Sequence, residues 1–183
     1  SKVGEEFSNG HSSFDFSAAH TRFSVERSLR RLDTDYLDIV LIHSDGNDED
    51  ILLNQGALDT LESLKKEGKI RAFGISTKTV SGGLLAAERC DCVMVTWHLG
   101  YQDEVPVIDR CHALGKGVLI KKALASGHLA SGKDASAADR DPVRASLAMI
   151  FAHPGVASAI VGTINPVHLA ANVAAAIAAC HRS

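Results

Sequence analysis

With 183 residues, 45% of them hydrophobic and 22% charged, the chain has enough material for one well-packed globular unit. Its formal net charge of −3 offers no basic surface to nucleic acid or an anionic membrane. No apolar run approaches the ~18 residues needed to cross a bilayer. The cysteines, Cys90, Cys92, Cys111 and Cys180, are sparse and irregularly spaced, and C-x-C alone is not a metal signature. Reduced thiols and a cytoplasmic location are therefore expected.

From Ser17 the pattern alternates. Ser17 to Leu32 carries Val25, Leu29 and Leu32 at helical spacing, with Glu26 four residues before Arg30. Ile39 to Ile42 is an apolar, β-branched run that predicts a buried strand, and His43 stands where that strand should end. Gly56 to Glu67 predicts an amphipathic helix with Leu58, Leu61 and Leu64 on one face, stopped by Gly68. A strand over Ile70–Ser76, a helix over Val80–Glu88, a strand over Cys92–Thr96 and a helix over Val105–Leu114 follow. Next come a strand over Gly117–Ile120 and a Ser/Gly/Asp-rich loop over Ala125–Asp141. Pro142 opens a helix to about Ala152, Val156–Val161 predicts a strand, and Val167–Ala179 an alanine-rich helix.

Five strands, each followed by a helix, imply parallel pairing through crossovers. A doubly wound open sheet and part of a (β/α)₈ barrel both satisfy that pattern. No G-x-G-x-x-G joins a strand to a helix, which favours the barrel. In such a fold the strand C-termini face substrate, so a histidine at His43 can supply a proton or a hydrogen bond.

Four stretches narrow the reading. They are Ser24–Leu32 running into the Leu-Ile-His43 strand, Lys66–Ser76 (KEGKIRAFGIS), Val93–Gln102 (VMVTWHLGYQ), and Pro154–Thr163 (PGVASAIVGT) with Asn165-Pro166. Together, in this order and spacing, they resemble the aldo-keto reductase family over nearly the whole chain. The resemblance implies one partial (β/α)₈ barrel domain over 1–183, running from the end of the third strand through the eighth strand and helix. It also implies hydride transfer between NADP(H), or alternatively NAD(H), and a small aldehyde or ketone.

In that family a tyrosine donates the proton, a lysine lowers its pKa, an aspartate pairs with the lysine, and a histidine orients the carbonyl. His43 falls on the histidine position and Lys2 on the lysine position. An ammonium beside a phenol favours the phenolate, which makes proton donation reversible near neutral pH. The tyrosine and aspartate belong to a strand–helix unit upstream of Ser1, and neither Tyr36 nor Tyr101 replaces them. The chain is thus expected to be a fragment, inactive alone, whose open barrel edges invite a second copy or a partner.

For the cofactor, Ser76-Thr77 matches the family's Ser-Asn pair at the nicotinamide carboxamide. Met94 stands for the usual glutamine. Lys121, followed by Lys122, replaces the stacking aromatic, and the pair could instead neutralise the pyrophosphate. Leu124 and Ser126 fall where the next loop meets the diphosphate. Gly162, Thr163 and the turn they open match the adenosine-phosphate loop, which leads into a helix N-terminus suited to an anion. His168 replaces the arginine that reads the 2′-phosphate, and Asn172 matches the adenine-binding asparagine. Trp97 and His98, past a strand end, are candidates for the carbonyl pocket. Two other readings are a non-catalytic reductase-like module that binds nucleotide or a partner, and a metal-dependent hydrolase. The second lacks strand-end His, Asp and Glu residues to build a centre. No metal, nucleic acid or membrane is expected to bind.

Overall fold

The computed structural model describes residues 1–125 and 141–180. A short strand β1 (Lys2–Val3) leads into a hairpin of β2 (Glu5–Ser8) and β3 (His11–Phe14). Then follow α1 (Ala18–Leu32), β4 (Leu37–His43), α2 (Asp48–Leu53), α3 (Ala57–Lys66), β5 (Ile70–Ser76), α4 (Val80–Arg89) and β6 (Cys92–Thr96). The chain continues through α5 (Val105–Ala113), β7 (Gly117–Lys121), α6 (Pro142–Phe151), β8 (Val156–Ala159) and α7 (Pro166–Cys180). Six strands form one parallel sheet in the order β1-β4-β5-β6-β7-β8. Neighbouring strands joined through helices in this order make an arc of a (β/α)₈ barrel.

Local chemistry sets the ends of the elements. The Ser17 hydroxyl accepts the backbone N–H of His20 and starts α1, and Asp33, at φ 52°, ends it in the left-handed region. Thr79 caps α4 by accepting the Gly82 N–H at 3.1 Å. Asp141 caps α6 by accepting that of Arg144, with Pro142 in the first turn.

The two sheet faces divide by residue parity. Val40, Ile42, Phe73, Ile75, Val93, Val95, Val118 and Ile120 pack into the main core under the helices. Leu41, Cys92 and Met94, with Leu119 beside them, form a thinner cluster on the inner face. That inner layer requires close strands. A Cβ on Gly74 would lie 2.0 Å from the Cys92 carbonyl oxygen, so only glycine fits between β5 and β6.

The strand expected over Ile39–Ile42 extends from Leu37 to His43. The last strand stops at Ala159 rather than Val161. The sheet has six strands rather than five, because Lys2–Val3 adds to its edge. The hairpin and α2 were not expected. Both are polar and short, and β3 is exposed throughout, so neither carries a hydrophobic period. Among the described residues no helix is long and apolar enough to cross a membrane, and no group of His, Cys, Asp and Glu could hold a metal ion.

Burial pushes the Cys90 thiol up to about 12, and those of Cys92 and Cys111 up to about 11, whereas Cys180 is exposed. Ellman's reagent at pH 8 is expected to modify one thiol quickly and the other three only on denaturation. Rapid reaction of more than one in the native protein would contradict this packing.

Candidate active site

The last inward-facing side chains of the parallel strands form one stepped rim. Register places His43 beside Ser76, Ser76 beside Met94, and Thr96 beside Lys121. Lys2 on β1 pairs with Leu41, one inward position below His43. Lys2, His43, Ser76, Thr77, Thr96 and Lys121 line a cavity of about 560 Å³, together with Lys78, His98, Tyr101, Glu104 and Lys122. This is the C-terminal face of the sheet, where α/β barrels hold their substrates.

A buried polar network fixes the cavity floor. Glu104, only 2% exposed, accepts the Thr96 N–H at 3.1 Å with one oxygen and the Thr77 hydroxyl at 3.4 Å with the other. Burial raises its carboxyl above the usual carboxylate range. The Lys121 ammonium donates to the Ser76 hydroxyl at 3.0 Å and to the Thr77 carbonyl. Burial lowers its pKa, opposed by the charges of Glu104 and Asp48. Asp48, 1% exposed at the start of α2, accepts the N–H groups of Lys78 and Thr79 and the Thr79 hydroxyl, all on one oxygen. Gly82 leaves room for it, since a Cβ there would lie 2.1 Å from that of Asp48. The turn Ser76-Thr77-Lys78 is therefore held from below by Lys121 and Glu104 and from the side by Asp48.

His43 is partly buried, and its Nδ1 meets the Glu5 carboxylate of β2. Burial and the Lys2 charge lower its pKa, while Glu5 works the other way. The imidazole is thus biased toward its neutral form at the cavity wall.

A second cavity, of about 720 Å³, opens between the end of β7 and the start of α7. Leu124, Gly162, Thr163, His168 and Asn172 line it, and Lys122 belongs to the walls of both cavities. Thr163 and Asn165 shape the turn into α7 through hydrogen bonds to the N–H groups of Asn165 and Val167, respectively. Among the described residues no atom lies within 4 Å of the position a Cβ would take on Gly162.

Some residues expected at the site lie elsewhere. Trp97, just past β6, is not among the residues lining this cavity: its ring packs edge-on against His153 in the core, 6% exposed. Met94 faces inward, level with Ser76 but one inward position below Thr96, and is 5% exposed among Leu41, Cys92 and Leu119, so it supports the floor. Lys121 turns toward Ser76 and Thr77, and Lys122 is the lysine shared with the second cavity. Ser126 lies outside the described residues. Sequence reasoning passed over Glu5, Asp48, Lys78 and Glu104, and named Tyr101 only as no replacement for the family's tyrosine. Only Glu104 carried a readable signal, as an acid just before an apolar helix turn.

A parallel α/β arc with a lysine, a histidine and paired hydroxyls on its C-terminal rim has the layout of a barrel enzyme. The Aldo/keto reductase family profile matches residues 1–142, and the chain belongs to that family. It is 59% identical to a Pseudomonas aeruginosa protein assigned to the aldo-keto reductases, with a TM-score of 0.88 over 97% of this chain and 66% of that one. An aldo-keto reductase from Bacillus halodurans in its holo form matches at 25% identity and TM-score 0.81, covering 95% and 65%. The methylglyoxal reductase YeaE of Escherichia coli is 29% identical over 148 residues, 73% of this chain and 51% of that protein. The chain spans about half or less of the length of the curated relatives it matches.

Lys121 and Glu104 share one buried cluster, so their substitutions should not add. Lys121→Met is expected to cost about 2 kcal/mol by urea unfolding at pH 7. Lys121→Met with Glu104→Gln should cost less than the sum of the singles by about 1 kcal/mol. Strict additivity would show that the two charges do not interact. Because the Glu104 carboxyl is raised, its contribution to stability is full below 4.5 and is lost as pH rises through the raised value. Glu104→Gln should flatten the pH dependence of unfolding just above pH 4.5, and an unchanged slope would contradict the burial of that carboxyl.

Proposed function

We propose that this chain carries the cofactor-binding rim and the carbonyl-orienting histidine of an NADP(H)-dependent oxidoreductase that reduces an aldehyde or ketone to an alcohol. The observation that supports this best is the pair of cavities meeting at Lys122. One gathers Lys2, His43, Ser76 and Thr77, and the other Gly162, Thr163, His168 and Asn172.

The residues suit a dinucleotide. The first cavity offers hydroxyl and backbone groups at Ser76 and Thr77 for a carboxamide. Lys122 on the shared wall suits a pyrophosphate as a point charge. The second is mostly apolar, as an adenine requires, with Thr163, Asn172 and the start of α7 at its polar edge. When bound, the nicotinamide supplies the hydride. The protein's own part is to bind, orient and move a proton. His43 holds the substrate oxygen by a hydrogen bond, and Lys2 provides the positive charge that favours an ionised phenol next to it. In the family that phenol and the lysine's aspartate partner come from an earlier strand–helix unit.

Fluorescence titration with NADPH and NADH tests the dinucleotide site directly. Saturable binding of NADPH is expected, and His168→Arg should strengthen the preference for NADPH over NADH by about tenfold, since a guanidinium grips a phosphate better than an imidazole. Absence of saturable binding of either nucleotide would overturn the reading. In a form of the protein that also carries the family's tyrosine and aspartate, His43→Ala should lower carbonyl turnover at least about tenfold. Dinucleotide affinity should stay within about twofold. Unchanged turnover would remove His43 from the chemistry.

A further inference from the structure

The loop after β6 closes a tight turn whose two flanking side chains, His98 and Tyr101, both line the 560 Å³ cavity. The His98 N–H donates to the Tyr101 carbonyl at 3.1 Å, and the Tyr101 N–H to the His98 carbonyl at 2.9 Å. These bonds reverse the chain over Leu99-Gly100 and set the two rings side by side, with centroids 6.1 Å apart. Within the turn the Gly100 N–H donates to His98 Nδ1 at 3.2 Å. A backbone N–H can only donate, so Nδ1 offers a lone pair and neutral His98 carries its proton on Nε2. Gly100 is not part of the cavity wall, so the Nε2–H edge is the one that His98 brings to it. Burial and the Lys122 charge hold the His98 pKa below its ordinary value. Burial, with the charges of Glu104 and Asp103, raises that of the Tyr101 phenol. Near neutral pH both side chains are therefore uncharged donors, one N–H and one O–H.

We propose that the cavity takes a carbonyl compound that also bears a carboxylate, an oxo acid, with His98 Nε2–H and the Tyr101 hydroxyl donating to the carboxylate oxygens. Two donors on neighbouring rings of one fixed turn match two acceptor oxygens on one carbon. The charge of the wall selects an anion over a neutral ketone. Although the chain carries a net −3, this cavity is lined by Lys2, Lys78, Lys121 and Lys122 and by a single acid, Glu104. Both oxygens of that acid are already engaged, one by the Thr96 N–H and the other by the Thr77 hydroxyl. Lys122 is the ammonium whose field reaches His98, so an anion at the turn is held by charge as well as by hydrogen bonds. His43 stands at the end of β4, and β4 and β6 run about 10 Å apart with β5 between them. A ligand that reaches both His43 and the turn thus has its carbonyl and carboxylate separated by a few carbons rather than adjacent. That this ligand is the substrate rests on the reductase reading above, whereas the binding of a carboxylate at the turn does not.

Long-range ¹H–¹⁵N spectra of the uniformly labelled protein read the turn directly, with the His98 signals assigned by their loss in His98→Gln. Without ligand the expected pattern is a protonated Nε2 and a pyridine-like Nδ1. Saturating 4-oxopentanoate should raise the midpoint of His98 titration by about one pH unit, because a carboxylate beside the ring favours the imidazolium. Its uncharged methyl ester should leave the midpoint in place. The rise should persist at saturating NADPH. Tyr101→Phe should weaken 4-oxopentanoate binding about tenfold in the same titration. A midpoint that the acid does not move, or that the ester moves equally, overturns the proposal. So does an Nδ1–H pattern in the free protein, or an undiminished affinity in Tyr101→Phe. Loss of the rise on adding NADPH would give the turn to the cofactor's phosphates and overturn the proposal as well. The unaltered protein decides the matter even if Tyr101→Phe does not fold. Absence of NADPH binding would remove the reductase reading, and the acid and its ester would still decide the carboxylate site.

Discussion

The parallel register of β4 through β7 is the constraint on which everything else in the molecule depends. The register is staggered, so the polar ends of β4 and β5, His43 and Ser76, lie level with Met94 and Leu119, and those of β6 and β7, Thr96 and Lys121, lie one inward position beyond, together making a stepped rim of polar groups. Leu41, Gly74 and Cys92 form the apolar layer one inward position below His43, Ser76 and Met94, and Met94 and Leu119 in turn lie one inward position below Thr96 and Lys121. A slip of one residue in any strand would turn its polar end into the helix-covered core and an apolar residue into the cavity. The register is held by packing on both faces, and most tightly at Gly74, where β5 and β6 approach too closely for any other residue.

The rim places charge where burial disfavours it. Glu104 and Lys121 are both displaced from their ordinary titration by burial, and each partly offsets the other. Hydrogen bonds to Thr96, Thr77 and Ser76 make up part of the remaining desolvation. A cluster of this kind contributes less to stability than an apolar one of the same volume, but it fixes geometry. Here it fixes the Ser76-Thr77-Lys78 turn, whose hydroxyls and backbone face the cavity. Buried charge gathered at one end of a fold, beside an ordinary apolar core, is the distribution expected where a structure serves binding as well as folding.

The sheet and its helices were legible because their signals are periodic. Leu58, Leu61 and Leu64 mark one helix face, and the runs over Ile39–Ile42 and Cys92–Thr96 mark buried strands, so order and fold class followed. The β2–β3 hairpin was not legible: Glu5-Glu6-Phe7-Ser8 and His11-Ser12-Ser13-Phe14 alternate too weakly, and the turn between them is set by positive φ at Asn9 and Gly10. At the site, His43 could be read from its place at a strand end, and Ser76 and Thr77 from the family pattern. Glu5 and Asp48 could not, because each reaches the rim from a different element through a single side chain. Trp97, one residue past β6, packs in the core against His153, a placement that a sequence does not display once a strand has ended.

Amide hydrogen exchange with and without NADPH tests the central claim, that the C-terminal rim is a dinucleotide site, most directly. Added protection is expected at Ser76–Lys78, at Lys121–Ala125 and from Gly162 into the first turns of α7, with β1–β3 and the opposite end of the sheet unchanged. Protection confined to other surfaces, or none at saturating nucleotide, would contradict it.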